Sequence, residues 1–388
     1  MAKSVRYKLN RNICRKNKKR RVKNRGVSKV KKVRNLKPLK IFLSIIAFVI
    51  LGYWFFVAYT TVREVKIVDV VGENEIVEFA DAGQIRRMLL IYEEPNASEA
   101  NNLFILAVIH NTDISQMLVY HLPGDIYIND YFTKKYISVK DLTYAGKSYM
   151  YRDKYAYVIK QIEEQMAINF DSYVLFGSEI SKNFISDSST WGNSEEEVLT
   201  IFSKLSLFNL MPRYYKVHLF EEYFHSNMSF LEMYSIFQSL EGVVVSDNYE
   251  YFYLGDDEFV REVTLGGSRD VKALNTVAFD QSLRVNIDIS RTRALRGEHV
   301  KVEVYNGSDI PGYARTIARR IYNSGCRVIR FKNASVPYDE TKIYVSDMEK
   351  FANGLEVVND IVKEATVVEG RPSFLTTGDI IVVLGMDQ

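Results

Sequence analysis

A run of 22 uncharged residues near the N-terminus constrains this chain more than any other feature. Residues 41–62 read IFLSIIAFVILGYWFFVAYTTV and contain no Asp, Glu, Lys, Arg or His. At about 1.5 Å per residue, a helix of this length is roughly 33 Å long, which is enough to cross the apolar core of a bilayer. Tyr53, Trp54 and Tyr59 lie in its second half, where an aromatic belt meets the membrane surface. We therefore predict one transmembrane helix at residues 41–62.

The rival interpretation of this run is a cleavable signal peptide. A signal peptide has an apolar core of about 7–15 residues and ends in small residues. The run here is longer and ends among aromatic residues. An uncleaved signal anchor is therefore favoured.

The charges on either side of the run predict its orientation. Residues 1–40 carry 18 Lys and Arg and no acidic residue, whereas the chain from Arg63 onward carries 33 basic and 48 acidic residues, a net charge of −15. The positive-inside rule places residues 1–40 in the cytoplasm and everything after the run outside the cytoplasmic (inner) membrane, which the chain is predicted to cross once. The basic tail has few apolar residues, so it is predicted to be disordered and to contact anionic lipid. Binding of nucleic acid by the tail is the less favoured alternative, and the acidic remainder excludes a uniformly basic nucleic-acid-binding domain.

Apolar spacing beyond the anchor predicts an α/β (α+β) domain with a mixed sheet at residues 63–290. The continuous apolar run at residues 102–110 is typical of a strand covered on both faces. Residues 84–92 and 149–167 are predicted as helices.

Two capping boxes predict two further helix starts in the same domain. Ser194 stands three residues before Glu197, and Ser229 three residues before Glu232. In such a pair the hydroxyl and the carboxylate satisfy backbone donors that the first helical turn leaves without partners.

A second, smaller domain is predicted at the C-terminus. Residues 291–298 are polar and charged and are predicted as a linker. Residues 299–388 then follow the order β-α-β-β-α-β, which is typical of a small ferredoxin-like domain.

Standard catalytic and metal-binding patterns are absent from the sequence. It contains no G-x-S-x-G elbow, no phosphate-binding G-x-x-x-x-G-K-[ST] loop and no H-E-x-x-H, and its five histidines lack metal-ligand spacing. We therefore predict no metal site and no cofactor. Cys14 and Cys326 cannot make a disulfide framework. The 26 tyrosines leave a tyrosine-lined glycan surface open as an alternative to a mostly structural role.

One loop is a candidate for polymer or anion binding. Asn306, Gly307 and Ser308 precede a predicted helix, where backbone N–H groups can hold an anion. The favoured alternative is a tight turn that needs a positive φ at Gly307.

The C-terminal segment resembles the C-terminal domain of LytR-type cell-envelope proteins. The resemblance extends over the whole of residues 299–388, although each piece of it is short. Its matching pieces are VEVYNGS at 302–308, GYA at 312–314, GCRV at 325–328, YDETKIY at 338–344 and DIIVVLGMD at 379–387.

The middle region resembles a divergent LytR-CpsA-Psr domain. The resemblance covers roughly residues 100–240, and it implies an α/β fold and the transfer of glycopolymers from a polyprenyl-pyrophosphate carrier to peptidoglycan, usually with Mg²⁺. Its matching pieces are ILAVI at 105–109, HLPGDIYI at 121–128, LTYAG at 142–146, the strand at 168–176 and HSNMS at 225–229.

This sequence departs from that family at the positions that bind the pyrophosphate. Gly124 stands where the signature arginine belongs, and Asn102 stands about where a metal-binding aspartate belongs. Asp125 is the retained signature residue, and between residues 173 and 225 the only arginine is Arg213. Loss of one preorganised donor can cost about 10²–10³ in rate. No catalytic residue is therefore assigned.

Three functions follow as hypotheses. The favoured one is a non-catalytic, membrane-anchored protein of the bacterial cell envelope that binds or scaffolds cell-wall polymer, such as peptidoglycan or an envelope glycopolymer, or envelope-assembly proteins. The first alternative is a glycopolymer phosphotransferase with a site rebuilt around Asp125 and Lys140, Asp141 or Arg152, which would use Mg²⁺. The second alternative is a regulatory protein that acts through its basic cytoplasmic tail.

Overall fold

The structure, a computed structural model, describes residues 37–64, 69, 84–94, 102–149, 153–177, 194–206, 224–267 and 269–387. The chain divides into two compact units, residues 1–54 and residues 55–388. We call residues 55–388 the body.

One long helix contains the uncharged run. Helix α1 (Lys37–Glu64) has 28 residues, and its described side chains run from Lys40 to Phe56. Its large apolar side chains in this stretch are exposed. Over the described residues, no helix combines the length and the apolarity that a membrane crossing requires. The assignment of residues 41–62 to a membrane stays a prediction, and the basic tail up to residue 36 lies outside the described residues.

The N-terminal part of the body is built on a six-stranded mixed sheet in the order β7-β6-β1-β2-β3-β8. Strands β1 and β2 are antiparallel, as are β2 and β3, while β1–β6 and β3–β8 are parallel pairs. This mixed sheet confirms the predicted α/β class. Its strands are β1 (Ile85–Glu94), β2 (Asn102–Asn111), β3 (Gln116–Leu122), β6 (Ser172–Gly177), β7 (Phe224–Ser226) and β8 (Tyr249–Tyr253).

Helices cover both faces of this sheet. On β2, Ile105 and Ala107 belong to one buried apolar cluster, whereas Leu106 and Val108 belong to a second cluster on the opposite face. This alternation explains why β2 is apolar at nearly every position. The first face is covered by α2 (Leu142–Ser148), α3 (Lys154–Met166) and α6 (Thr276–Val285), and the second by α4 (Glu195–Ser206) and α5 (Phe230–Val245).

A second, four-stranded sheet lies in the same part of the body in the order β5-β4-β10-β9. Strand β4 pairs with β5 in antiparallel orientation, and β10 pairs with β9 in the same way. Its strands are β4 (Tyr127–Asn129), β5 (Tyr136–Ser138), β9 (Val260–Leu265) and β10 (Arg269–Leu274).

The predicted helix at residues 84–92 is wrong, because this segment forms strand β1. It pairs with β2 over ten positions, from Ile85 to Glu94, and its other edge pairs with β6. A short apolar run is compatible with either a strand or a helix. Here the segment is a strand because neighbouring strands hydrogen-bond to both of its edges.

Both capping boxes start helices as predicted. The Glu197 backbone N–H donates to Ser194 Oγ over 3.3 Å at the start of α4. The Glu232 backbone N–H donates to Ser229 Oγ over the same distance at the start of α5.

The C-terminal domain differs from the ferredoxin-like prediction. It has five strands in the order β12-β11-β15-β13-β14, and the parallel pairs β11–β12 and β13–β14 are directly adjacent instead of being split by another strand. The prediction missed β14, a short strand at the edge of the sheet. Its elements are β11 (Lys301–Asn306), α8 (Tyr313–Asn323), β12 (Arg327–Asn333), β13 (Lys342–Val345), α9 (Ala352–Ile361), β14 (Thr366–Glu369) and β15 (Ile380–Leu384).

The predicted linker at residues 291–298 contains a short helix, α7 (Arg293–Glu298). Thr292 Oγ1 accepts the backbone N–H of Leu295 and caps it. At its other end, the Glu298 carboxylate accepts the backbone N–H groups of Asn353 and Gly354, both over 2.8 Å. This segment is therefore ordered and packed against α9.

Candidate functional site

The turn that carries Asp125 is tied to a short 3-10 turn at Val139–Asp141. The Gly124 carbonyl accepts the Lys140 backbone N–H over 2.9 Å and the Ser138 hydroxyl over 3.0 Å. The backbone of Lys140 therefore lies beside the Asp125 turn, and Asp141 ends the same 3-10 turn. A rebuilt site that uses these side chains stays a prediction.

Gly124 is at this position because there is no room for a side chain. A Cβ atom built on it would overlap the Leu103 carbonyl oxygen and would lie 3.3 Å from Lys140 Cβ. Backbone torsion is not the reason, since Gly124 is not among the glycines with positive φ. The overlapping atom belongs to the backbone of β2 and cannot rotate away. The arginine expected here by resemblance is therefore excluded in this conformation.

The surroundings of Asp125 are acidic. The Asp125 side chain is exposed. Burial of Tyr253 raises the pKa of its hydroxyl, and the negative charges of Asp125 and Asp256 raise it further. Lys272 is close enough for Asp125 to contribute to its raised pKa, but the main cause is its hydrogen bond to Asp257 Oδ1 at 3.1 Å. The carboxylates of Asp125, Asp256 and Asp257 outnumber the nearby cations Lys140 and Lys272, whereas a pyrophosphate needs net positive charge around it.

The described residues show no cluster of side chains that would hold a metal ion by itself. In the part of the chain that the structure describes, no three His, Cys, Asp or Glu side chains converge as metal ligands would. The side chain of Asn102 and the whole of Arg152 lie outside the described residues. No step through a metal ion is derived at Asp125.

The space beneath the Asp125 turn is filled with protein side chains. Leu103, Leu122, Ile126, Val139 and Leu142 are at most 2% exposed and belong to one contiguous apolar cluster. The interior of a folded protein is close-packed and leaves few voids larger than a water molecule. The described residues therefore provide no apolar channel for a polyprenyl chain next to Asp125.

Sequence reasoning missed a charged cluster at the carboxyl end of β1. The Glu93 carboxylate accepts Lys154 Nζ at 2.9 Å and the Tyr155 hydroxyl at 2.5 Å. Burial raises the pKa of Glu93, but the hydrogen bonds from Tyr155 and Lys154 outweigh this and leave the pKa below its ordinary value. The cluster fastens the start of α3 to β1. The spacing of these residues along the chain gave no signal of it.

The structure places Asn306, Gly307 and Ser308 in a loop whose polar groups are already used. Asn306 Oδ1 accepts the backbone N–H and the hydroxyl of Ser308, at 3.2 and 2.7 Å, and the Gly307 N–H donates to Leu384 O. These donors are not available to an anion. Polymer binding by the three residues stays a prediction.

The expected positive φ at Gly307 is wrong, because the positive φ in this loop belongs to Gly312, at 80°. Gly307 is instead a position of close approach. A Cβ atom there would lie 2.7 Å from the ring of Tyr338 and 2.9 Å from the carbonyl oxygen of Leu384.

Helix α8 docks the C-terminal domain onto the N-terminal part of the body. The Arg320 guanidinium donates to Glu164 Oε1 at 2.7 Å and to Asn169 Oδ1 at 2.9 Å. Next to it, Arg319 pairs with Asp280 Oδ2 at 2.6 Å and donates to the Gln165 carbonyl. The Arg320 and Glu164 side chains are only 9% and 10% exposed. The two parts of the body therefore share a buried polar interface, which the sequence did not indicate.

Residues 299–387 match the family described as LytR cell envelope-related transcriptional attenuator. The chain thus carries a LytR-type C-terminal domain, and this part of the resemblance is confirmed. A search of curated protein sequences gives no match. For residues 100–240, the likeness to LytR-CpsA-Psr domains continues to rest on the sequence.

Solved structures also align with the chain. A transcriptional regulator from Enterococcus faecalis aligns with 10% identity over 53% of this chain and 87% of that chain, with a TM-score of 0.38. TagT bound to LIIa-WTA aligns with 14% identity over 58% of this chain and 99% of that chain, at 0.38. TagV from B. subtilis aligns with 11% identity over 53% of this chain and 97% of that chain, with a TM-score of 0.36. TM-scores of this size do not establish a shared fold.

Proposed function

We propose that this protein is a membrane-anchored component of the bacterial cell envelope that binds or scaffolds a cell-wall polymer without catalysing its transfer. The LytR-type C-terminal domain supports the link to the envelope. The observation that carries the non-catalytic part is the packing of Gly124 against the Leu103 carbonyl oxygen.

That packing weighs against catalysis because it acts together with the surroundings of Asp125. A transferase that uses a polyprenyl-pyrophosphate must neutralise several negative charges as the bond to the carrier breaks. Gly124 has no space for a guanidinium, and Lys272 is already hydrogen-bonded to Asp257, which leaves Lys140 as the cation beside the Asp125 turn among the described residues named above. The protein therefore keeps the signature carboxylate of Asp125 but has no arginine at position 124 to neutralise a pyrophosphate.

The membrane anchor is proposed from the sequence. Residues 41–62 are uncharged, follow 18 basic residues and precede an acidic remainder. We propose that α1 contains a single span with its N-terminus in the cytoplasm and the body outside, and that the basic tail contacts anionic lipid. Protease added to intact cells should then degrade the body and spare the tail. A body that survives in intact cells and is cut after lysis would overturn this orientation.

A two-part assay of the full-length protein in detergent tests the polymer function. The first part measures binding of purified wall polymer and peptidoglycan fragments. The second follows release of the polyprenyl-pyrophosphate carrier from a lipid-linked glycan, with and without Mg²⁺. We expect binding without carrier release. Mg²⁺-dependent release that disappears in Asp125→Ala and in Lys140→Ala would instead establish the transferase alternative.

The regulatory alternative has its own test. Deletion of residues 1–35 should leave the polymer binding of the protein unchanged if the body carries the function. If the deletion abolishes the cellular role while binding by the body persists, the tail carries the function.

A further inference from the structure

A cleft lies where the C-terminal domain meets the N-terminal part of the body. It has a volume of about 880 Å³ and lies between helices α6 and α8, the loop at residues 129–134 and strand β12. Ligand sites form preferentially at such domain junctions, with typical volumes of about 300–1,000 Å³. None of the residues discussed above as candidates for pyrophosphate or anion binding lines this cleft.

The cleft has more basic than acidic side chains along its walls. Five basic and three acidic residues line it. Each acid already has a partner. The partners are Arg319 for Asp280 at 2.6 Å, Arg320 for Glu164 at 2.7 Å and the Tyr157 hydroxyl for Asp130 at 2.6 Å.

Several of the basic residues, by contrast, have no acidic partner. Arg315 is exposed, and the described residues offer it no ion pair. The Arg284 guanidinium lies 4.9 Å from the centre of the Tyr322 ring, and Lys134 Nζ lies 4.3 Å from that of Tyr131. These contacts leave their charges exposed to a ligand.

This excess of positive charge stands out against the charge of the whole body. The chain from Arg63 onward has a net charge of −15. A body of that charge repels anions in general, so an anionic ligand is attracted only where unpaired cations collect. The junction cleft is such a place.

The remaining lining of the cleft is suited to sugars. Val277 and Phe331 are 56% and 52% exposed and give the cleft apolar surface. The ring face of Phe331 can pack against the apolar face of a sugar. Asn129, Gln281 and Thr316 add neutral donors and acceptors for hydroxyl groups. An acidic peptide can pair with the same charges, so it is included as an alternative ligand in the test below.

We propose that the junction cleft binds an anionic glycan chain, one with phosphate or carboxylate groups along a backbone of polyols or sugars. Arg284, Arg315 and Lys134 contact the anionic groups, since guanidinium groups match phosphate and carboxylate geometry. Phe331 and the amide side chains contact the uncharged units. The proposal rests on the proposed function and specifies where on the body the polymer binds.

The experiment measures binding of poly(glycerol phosphate) to the full-length protein in detergent by calorimetric titration. The test variant carries Arg284→Gln and Arg315→Gln. The control variant carries Arg269→Gln and Arg293→Gln, which removes the same charge at exposed arginines outside the cleft. Neutral dextran and poly-glutamate are titrated as alternative ligands. Thermal melting checks that the variants fold, and Arg315→Glu is a second test variant that loses no ion pair.

We expect the cleft variants to bind at least about tenfold more weakly, because one charge-assisted hydrogen bond is worth about 1.5 kcal/mol or more. The control should bind within about twofold of the wild type, since both arginines are exposed, neither lines the cleft, and salt screens surface charges. Dextran should bind weakly, and poly-glutamate should compete poorly.

Three results would overturn the proposal in distinguishable ways. If the wild type and the cleft variants bind the polymer equally, the cleft is the wrong site while the proposed function stands. If poly-glutamate competes as well as poly(glycerol phosphate), the ligand is an acidic polypeptide and not a glycan. If the wild type binds neither the polymer nor peptidoglycan fragments, the proposed function fails and this inference fails with it.

Discussion

Removal of Arg320 tests whether the two parts of the body are held together by their buried polar interface. The Arg320 guanidinium reaches Glu164 Oε1 at 2.7 Å and Asn169 Oδ1 at 2.9 Å from a position that is 9% exposed. Arg320→Ala leaves a carboxylate and an amide oxygen buried without this donor. Burial raises the pKa of the neighbouring Glu163, and the charge of Arg320 opposes that rise.

The magnitude follows from what remains after the change. Loss of one partner of a buried ion pair costs about 3–5 kcal/mol. Glu164 keeps a second cation, Lys160, at 3.4 Å, but that side chain is 35% exposed and its pairing is screened by water. We therefore expect a loss of about 3 kcal/mol in the free energy of unfolding. At roughly 2 °C per kcal/mol for a chain of this size, the melting temperature falls by about 6 °C.

Scanning calorimetry of the full-length protein measures this loss. The matched control is Arg315→Ala on the same helix, because Arg315 is exposed and shares no ion pair with a described residue. We also expect the single transition of the body to separate into two when docking is lost. A melting temperature within about 1 °C of the Arg315→Ala control would refute the reasoning, because the interface would then contribute no such energy.

Three further predictions concern single positions. Gly124→Ala should lower the free energy of unfolding by about 1–3 kcal/mol in denaturant titration, because its Cβ atom overlaps the Leu103 carbonyl oxygen. A neutral result would remove the steric argument against an arginine. Burial lowers the pKa of His121 from 6.5 to about 4. Between pH 6.5 and about pH 4, His121 is protonated in the unfolded chain but neutral in the folded protein. The free energy of unfolding therefore falls as the pH is lowered through this range, by at most about 3 kcal/mol. His121→Asn should flatten this part of the pH profile of the melting temperature, and an unchanged profile would contradict the assignment. Ser229→Ala should cost about 1 kcal/mol by removing the cap on the Glu232 N–H, and an unchanged melting temperature would show that the cap contributes nothing.

The sequence predicted the parts of the fold that depend on local patterns. The apolar run of β2 is covered on both faces, as its composition indicates, and Ser194 and Ser229 cap the helices that their boxes predict. The prediction of a helix at residues 84–92 was wrong because pairing with β2 and with β6, which is distant in sequence, makes this segment a strand. The ferredoxin-like prediction for the C-terminal domain differs from the structure for a similar reason, because long-range contacts set the order of strands in a sheet.

The candidate site was less predictable than the fold. The family resemblance indicated that Gly124 stands in place of an arginine. Only the structure shows that the Leu103 carbonyl oxygen leaves no room for any side chain at this position. The junction cleft had no sequence signal. Arg315, Arg319 and Arg320 follow one another along the polar side of an amphipathic helix, a pattern that usually marks a face in contact with water.

Helix α8 links docking of the C-terminal domain to the proposed binding at the cleft. Ile317 and Ile321 of α8 pack into the core of the C-terminal domain, Arg319 and Arg320 fasten the helix to α6 and α3, and Arg315 faces the cleft. Since α8 is held on two sides, the cation at the cleft is placed before a ligand arrives. A preorganised site loses less conformational entropy on binding than a flexible one. The buried pair at Arg320 therefore supports binding without touching the ligand, and the separation of α8 from α3 would weaken polymer binding even with every cleft residue intact.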